Sequence, residues 1–222
     1  MNVQETLDTL KSLGKEQMRK TYLRHGARED CYGVSTPDLK NLQKKLKKDP
    51  DLAGPLWATG NHEARVLATM IADPQRFDLA ALDGWAADLA NYVEMGYLAQ
   101  VAANSPAARE AMERWIESDG EWIASAGWIV VSHLAATGEL SDAEAAGYLA
   151  RIERDLRGSR NRVRHQMNGA LIAIGGSRPA LRDEAIAAAR RIGKVEVDHG
   201  DTGCKTPDAV EYIRKMVARQ KG

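Results

Sequence analysis

Cysteines are scarce in this chain, and long apolar runs are missing. Cys31 and Cys204 are the only two cysteines among 222 residues, and they lie far apart and outside any CxxC spacing. That usage argues against a disulfide framework and is typical of a reducing compartment. No segment reaches the ~18 apolar residues of a membrane span, and residues 1–17 lack the basic and apolar regions of a signal peptide. We therefore expect a cytoplasmic protein without a membrane segment.

The chain also lacks a net charge, because 31 basic residues balance 31 acidic ones. No overall electric field would draw it to nucleic acid, so any such binding depends on local patches. Residues 11–48 and residues 151–194 each carry eleven basic side chains against four acidic ones, whereas residues 73–121 carry ten acidic against three basic. Two basic arms of a crescent would be able to hold the phosphates of a DNA duplex without reading its sequence.

Aromatic residues are few as well, and the alternation typical of strands is rare. Apolar residues instead recur at spacings of three and four, which predicts an all-α protein. Breakers separate the segments: Ser35-Thr36-Pro37 combines a capping residue with a proline, and Gly175-Gly176 ends a helix. The predicted helices run over about 3–13, 16–25, 36–48, 50–59, 61–73, 78–90, 92–103, 106–117, 120–137, 142–157, 160–175, 178–191 and 207–220.

These predicted helices pair at a spacing of ~35–45 residues, the period of HEAT or armadillo-like repeats. Short connections between them imply antiparallel neighbours. We therefore expect one domain over residues 1–222, a right-handed superhelix (solenoid) of about six HEAT-like or armadillo-like antiparallel helix pairs. One short strand or extended turn is expected at 194–198, where valines alternate with polar residues.

Five segments carry a family resemblance, and the clearest is LWATGNHEARVLATMIADP at residues 56–74. It is an amphipathic helix with Val66, Leu67, Met70 and Ile71 on one stripe. The others are RHGARED (24–30), YGVSTPDLKNLQKKLKK (32–48), MNGALIAIGG (167–176) and GKVEVDHGDTGCKTPDAVEYI (193–213). In this order, from roughly residue 7 to residue 216, the chain resembles the AlkD-like DNA alkylation repair proteins, whose fold is a curved stack of HEAT-like helical pairs.

The resemblance implies a DNA glycosylase that removes cationic alkylated purines, such as 3-methyladenine or 7-methylguanine, without a metal or cofactor. In active members an aromatic residue precedes an aspartate by four positions, so both project from one helix face toward the sugar of the lesion. An arginine on a later helix completes the set. Loss of the base builds positive charge on the deoxyribose, which the carboxylate stabilises electrostatically and the aromatic ring by cation–π attraction.

Carried onto this chain, the aromatic falls on Tyr92, the aspartate on Gly96 and the arginine on Ser125. Two of the three functional side-chain types are therefore missing. Glycine inside a helix costs about 1 kcal/mol relative to alanine, which points to close packing at Gly96.

Two nearby acids are the candidate substitutes, and with Tyr92 they form the predicted catalytic set. Asp88 precedes Tyr92 by one helical turn and would share its face, so the two could mimic the family's pair in reversed order. The alternative for Asp88 is an exposed acid that caps a helix or faces solvent. Glu94 points ~200° round the helix from Gly96 and is the poorer substitute.

Candidate phosphate-binding residues come from the two basic patches. They are Lys40, Lys44, Lys45 and Lys48 in the first patch, and Arg157, Arg160, Arg162 and Arg164 in the second. The alternative for the lysines is a solvated helix face. The alternative for the arginines is that an acidic side chain of the protein itself lies near them. Cations at a helix start oppose the helix dipole, so an acid nearby is expected.

The loop HGDTGCKTP, residues 199–207, concentrates polar and reactive side chains. Cys204 with His199 as its base would make a nucleophilic pair, whereas the alternative is a capping loop whose side chains hydrogen-bond the backbone. A zinc site combining these residues with His25 and Cys31 does not fit the spacings of known fingers. We expect neither a metal nor a cofactor.

The sequence thus predicts a monomeric DNA alkylation repair related protein that binds duplex DNA through basic patches on a concave surface. Glycosylase activity on alkylated purines is the weaker expectation, because the family's aspartate and arginine are missing. The alternative is a catalytically inactive helical-repeat scaffold that binds a protein partner or a non-standard nucleic-acid structure.

Overall fold

A computed structural model describes residues 1–220, and within that range the chain folds into thirteen α-helices and no strand. The all-α prediction is confirmed. The chain divides into two compact units, the first comprising residues 1–108 with 200–202, and the second comprising residues 109–199 with residue 203 onward. A single domain over the whole chain stays a prediction.

Seven helices form within the first unit, all of whose residues are described. They are α1 (Val3–Leu13), α2 (Glu16–Arg24), α3 (Thr36–Leu46), α4 (Pro50–Ala58), α5 (His62–Ile71), α6 (Leu79–Ala87) and α7 (Tyr92–Ala103). Most of them start at a short polar residue whose side chain accepts a hydrogen bond from a backbone amide of the first turn. These caps are Asn2, Ser35, Asp49, Asn61, Asp78 and Asn91.

Helix α5 is the core of the first unit and packs against α3, α4 and α7. Of the predicted apolar stripe, Val66, Leu67 and Ile71 are buried, whereas Met70 is only partly buried. The first turn of α5 is buried as well, although it carries the polar sequence His62-Glu63-Ala64-Arg65. This turn therefore needs internal partners for its polar groups.

The second unit, as far as it is described, contains the remaining helices, apart from Ala108 at the start of α8. They are α8 (Ala108–Trp115), α9 (Glu121–Thr137), α10 (Asp142–Asp155), α11 (Asn161–Ser177), α12 (Arg182–Ile192) and α13 (Ala209–Gln220). Helices α9 and α11 pack along each other. Gly127 of α9 lies so close to the chain after α8 that a Cβ would come within 2.7 Å of the Ile116 amide nitrogen.

The strand expected at 194–198 is absent from the described structure. The segment is an irregular extended loop, and Asp198 exchanges two hydrogen bonds with the side chain of Asn161, both 2.7 Å long. Alternating valines favour a strand only where a second strand offers its backbone, and a side chain takes that place here. No helix within residues 1–220 combines the length and apolar character that crossing a membrane requires.

Candidate functional site

The first turn of α5 holds in place the loop that leads into α3. Glu63 is fully buried, and its carboxylate accepts hydrogen bonds from the backbone amides of Tyr32, Gly33 and Val34 at 2.9, 2.6 and 3.1 Å. Gly33 has a φ of +83°, and a Cβ there would lie 2.3 Å from the Lys15 carbonyl oxygen, so only glycine fits. One buried carboxylate thus positions the loop that leads into α3.

The same turn of α5 also holds the start of α7. Glu94 is 1 % exposed and lies 3.0 Å from His62 Nδ1 and 3.5 Å from Arg65 Nη1. Asn91 donates to the same carboxylate at 2.9 Å and caps α7 through its own side-chain oxygen. The structure therefore places Glu94, a predicted catalytic residue, inside the unit, where it orients α7 instead of facing a ligand.

Asp88 and Tyr92 do not share one helix, which corrects the expected face-sharing pair. Helix α6 ends at Ala87 with Asp88 as its C-cap, and α7 begins at Tyr92 after the extended cap Asn91. The helical one-turn relation requires continuous helix between the two residues, and the chain breaks there. The Asp88 carboxylate is half exposed and lies 3.0 Å from Trp57 Nε1 and 3.5 Å from Arg65 Nη2.

Tyr92 has a partner that the sequence did not identify. Its hydroxyl lies 2.5 Å from Nδ1 of His25, which follows α2, and the two rings are 5.7 Å apart. Both side chains are partly exposed. His25 stands in the RHGARED segment that carries the family resemblance, but no spacing rule links it to a residue 67 positions later.

The positions of the family's aspartate and arginine differ sharply in their surroundings. At Gly96 an added Cβ would meet no atom within 4 Å, so the expectation of close packing there is wrong. Ser125 is 0 % exposed, and its hydroxyl has no hydrogen-bond partner among the described residues. A carboxylate would therefore have room at Gly96, whereas a guanidinium at Ser125 would have to enter the core of the second unit.

The predicted phosphate-binding lysines lie on the surface. Lys40, Lys44 and Lys45 of α3 are exposed, and within the described residues none of them forms an ion pair. We call these three the lysine face. Lys48 lies two residues beyond the end of α3 and pairs with Asp73 at 3.2 Å.

The arginines at the start of α11 are held largely by their own unit. Arg157 donates to the carbonyl oxygens of Arg191 and Ile192 at 3.3 and 2.8 Å, and Arg160 donates to the carbonyl of Asp119. An acid of the same unit lies at this helix start: the Glu121 carboxylate accepts from the backbone amide of Arg162 at 2.7 Å.

Arg164 and His165 follow on the same helix. Arg164 Nε and His165 Nδ1 are inaccessible to solvent and have no hydrogen-bond partner among the described residues. Burial is the first cause that lowers the pKa of His165, and the nearby ionisable groups of His199 and Arg162 lower it further.

The loop over residues 199–207 is tied to α11 and to itself. His199 Nε2 lies 3.0 Å from the Thr206 hydroxyl, and the His199 ring stands edge-on to His165 at 5.3 Å. The buried Asn168 donates to the carbonyl of Pro207 at 3.0 Å. The capping loop and the nucleophilic pair both stay predictions. Cys204 is exposed at the rim of a cavity of about 580 Å³ formed by this loop. Within residues 1–220 no group of His, Cys, Asp and Glu side chains is arranged to hold a metal ion.

Comparison with solved structures identifies the fold to which this arrangement of helices belongs. The chain matches a solved structure at a TM-score of 0.90 and 29% identity, covering 99% of this chain and 95% of that one. That structure belongs to a new family of proteins related to the HEAT-like repeat DNA glycosylases, with affinity for branched DNA structures. The fold is therefore that of the HEAT-like repeat proteins, as predicted; the number of repeats and the hand of the superhelix stay predictions.

The family follows from the sequence match. Residues 6–213 fit the model of the DNA alkylation repair enzyme family, and the chain belongs to that family. Two relatives are 32% identical: the uncharacterized protein Lin0241 of Listeria innocua, over 95% of this chain and 96% of its own length, and the uncharacterized protein Lmo0209 of Listeria monocytogenes, over 98% of each.

Proposed function

We propose that this protein binds branched DNA through the phosphates of its duplex arms, with the lysine face as the main contact. The observation that carries the proposal is the exposure of Lys40, Lys44 and Lys45 without ion-pair partners among the described residues. Lysines without internal partners release counterions when they meet phosphates, which drives sequence-independent binding. The affinity of the solved relative for branched DNA structures supports branched DNA as the substrate class.

Arg157 and Arg160 contribute less to this binding, because both side chains already donate to backbone carbonyls of the second unit. Arg162 and Arg164 remain candidates for a secondary phosphate contact. We propose that the protein acts as a single-domain monomer in the cytoplasm, because Cys31 and Cys204 lie far apart in the sequence and outside any CxxC spacing, a usage typical of a reducing compartment.

The test compares the wild type with the triple variant Lys40→Ala, Lys44→Ala, Lys45→Ala on a four-way junction and on duplex DNA. The variant's affinity should fall roughly tenfold to a hundredfold, and the slope of log K against log salt should become shallower by about 2 to 3, since each phosphate contact contributes about 0.9. Fluorescence anisotropy at several salt concentrations measures both quantities.

The matched control is the triple variant Lys11→Ala, Lys20→Ala, Lys215→Ala, which removes the same charge from other exposed positions. Its affinity should stay near that of the wild type. Equal losses in both variants would mean that only overall charge matters and would contradict the assignment to α3. Absence of salt-dependent binding in the wild type would leave the alternative of a scaffold for a protein partner.

Excision of an alkylated purine is a second candidate, favoured by family membership and by the open space at Gly96, one turn after Tyr92. The chemistry argues for weak activity at most, because neither Gly96 nor Ser125 supplies the charge that would stabilise the developing cation. Incubation with methylated duplex DNA, followed by chromatography of released 3-methyladenine and 7-methylguanine, tests it. Tyr92→Ala and Asp88→Asn are the controls; base release abolished by either variant would establish the glycosylase.

A further inference from the structure

The first unit contains a cavity of mixed polar and apolar lining that the proposed phosphate contacts do not use. It lies where the end of α3, helix α5 and helix α7 meet, and its volume is about 530 Å³, within the usual range of ligand sites of ~300–1,000 Å³. Its lining includes Lys48, Met70, Asp73, Tyr97, Gln100 and Asn104.

The cavity continues a surface already linked to DNA by the family resemblance. Tyr92, Gly96 and Gln100 are spaced by four residues on α7, so they follow one another along one face of the helix. On the α3 side, Lys48 continues the lysine-rich segment that contains Lys40 and Lys44. The cavity therefore adjoins both the lysine-rich segment and the face that carries Tyr92.

The side chains around the cavity have the properties that a nucleotide needs. Tyr97 is half-buried, and burial raises the pKa of its hydroxyl, so the ring remains neutral and its hydroxyl protonated. Gln100 is exposed, and its amide can both donate to and accept from a base edge. Aromatic rings beside such groups stack with every type of base.

A cation and an anion stand at one side of the cavity. The Lys48 side chain is 68% exposed, and its ammonium pairs with Asp73 at 3.2 Å. The Asp73 carboxylate also accepts from the Gln75 amide at 3.4 Å, and the hydrogen bond from Lys48 lowers its pKa. An exposed ion pair of this kind contributes little to stability, so Lys48 can turn from Asp73 to a phosphate at little cost.

We propose that this cavity receives an unpaired nucleotide of branched DNA, with its base against Tyr97, its polar edge on Gln100 and its phosphate on Lys48. The inference rests on the proposed DNA binding and names the feature that separates branched DNA from duplex. A base inside a duplex is stacked on its neighbours and paired with its complement, so it cannot enter the cavity unless that base pair is first broken. A branch point holds unpaired or easily unpaired bases, so only branched DNA fills the cavity at low cost.

The experiment uses a junction and a flap that carry 2-aminopurine at the unpaired position beside the branch, and the matched duplex. Wild-type protein should change the fluorescence of the 2-aminopurine, and Tyr97→Phe should preserve that change because it keeps the ring. Tyr97→Ala should abolish the change and weaken binding of branched DNA on the order of tenfold, with duplex affinity unaltered. Gln100→Ala, at an exposed position, should give a smaller loss of the same selectivity.

The two proposals fail in different ways. A wild type that binds neither DNA form overturns both. A wild type that prefers branched DNA, but whose fluorescence response and preference persist in Tyr97→Ala and in Gln100→Ala, overturns the cavity alone. The lysine-face variant separates the two contributions, because it should lower the affinity for junction and duplex by the same factor. Circular dichroism confirms that each variant is folded, and Gln100→Ala keeps the test decisive if Tyr97→Ala is not.

Discussion

The two basic regions of the chain place their charges in different surroundings. In the first unit Lys40, Lys44 and Lys45 project from α3 and have no ion-pair partner among residues 1–220. In the second unit Arg157 and Arg178 donate to backbone carbonyls. A sequence count treats both regions as equal, with eleven basic residues against four acids in each. The difference teaches that cations can bind phosphate strongly only where the fold has not already given them partners.

The same contrast recurs at the two positions where the family's charged residues are missing. Gly96 in the first unit has open space around it, whereas Ser125 in the second unit is enclosed in the core. A functional side chain would therefore have room at Gly96, whereas the packed core of the second unit leaves no open space at Ser125. Three predictions test these contrasts and a fourth concerns pH, in order from the largest expected effect to the smallest.

Ser125→Arg should have the largest effect. It would place a guanidinium at a position that is 0% exposed, with no acid known to receive it. Burying an unpaired charge costs several kcal/mol, so we expect a loss of about 4 kcal/mol or more in the free energy of unfolding. Urea denaturation measures it. Unchanged stability would show that α9 has space for the family's arginine and would remove the contrast with Gly96.

Arg178→Ala should come next. The Arg178 side chain is only 12% exposed, pairs with Asp142 at 2.7 Å, and donates to the carbonyl of Ala135 at 3.1 Å and to that of Leu140. Removing a charged donor that serves buried carbonyls should lower the free energy of unfolding by about 2–3 kcal/mol. The matched variant Lys40→Ala should change it by no more than about 0.5 kcal/mol. Equal losses would contradict the division between structural arginines and available lysines.

Gly96→Asp should barely affect stability, because its Cβ meets nothing and aspartate is a somewhat better helix former than glycine. We expect a change of about 0.5 kcal/mol or less by thermal unfolding. The variant should release no more alkylated base than the wild type, since the arginine of the set is missing. Strong destabilisation would indicate that the space at Gly96 is not accessible to a side chain.

The smallest effect concerns pH. The Ser141 hydroxyl and amide, and then Arg109, lower the pKa of Glu144 from 4.5 to about 2. Stability from this carboxylate is complete above pH 4.5 and is lost as the pH falls toward 2. Ser141→Ala should therefore raise this pKa more than Arg109→Ala does, as NMR titration of the Glu144 carboxyl would report. A larger rise in Arg109→Ala would mean that the arginine is the main partner.

Local sequence signals predicted the helices well. All thirteen predicted helices form, with ends that shift by a few residues. The helix expected from 178 starts at Arg182, because Pro179–Leu181 forms a short 3-10 helix instead. Apolar spacing and capping residues act within a few positions of one another, so they are readable along the chain. The site was only partly predictable. The exposed lysines follow from the helical pattern, whereas the Tyr92–His25 contact joins residues 67 positions apart.

The sequence by itself determined the helices, the family, and the missing carboxylate and arginine, because these depend on residue types at fixed positions. Only the tertiary structure decided that Glu94 is an internal anchor, that α6 ends at Ala87 with Asp88 as its C-cap, that Gly96 is open and Ser125 enclosed, and which cations already have partners. Burial and pairing arise from contacts between segments distant along the chain, and no local pattern records how those segments meet.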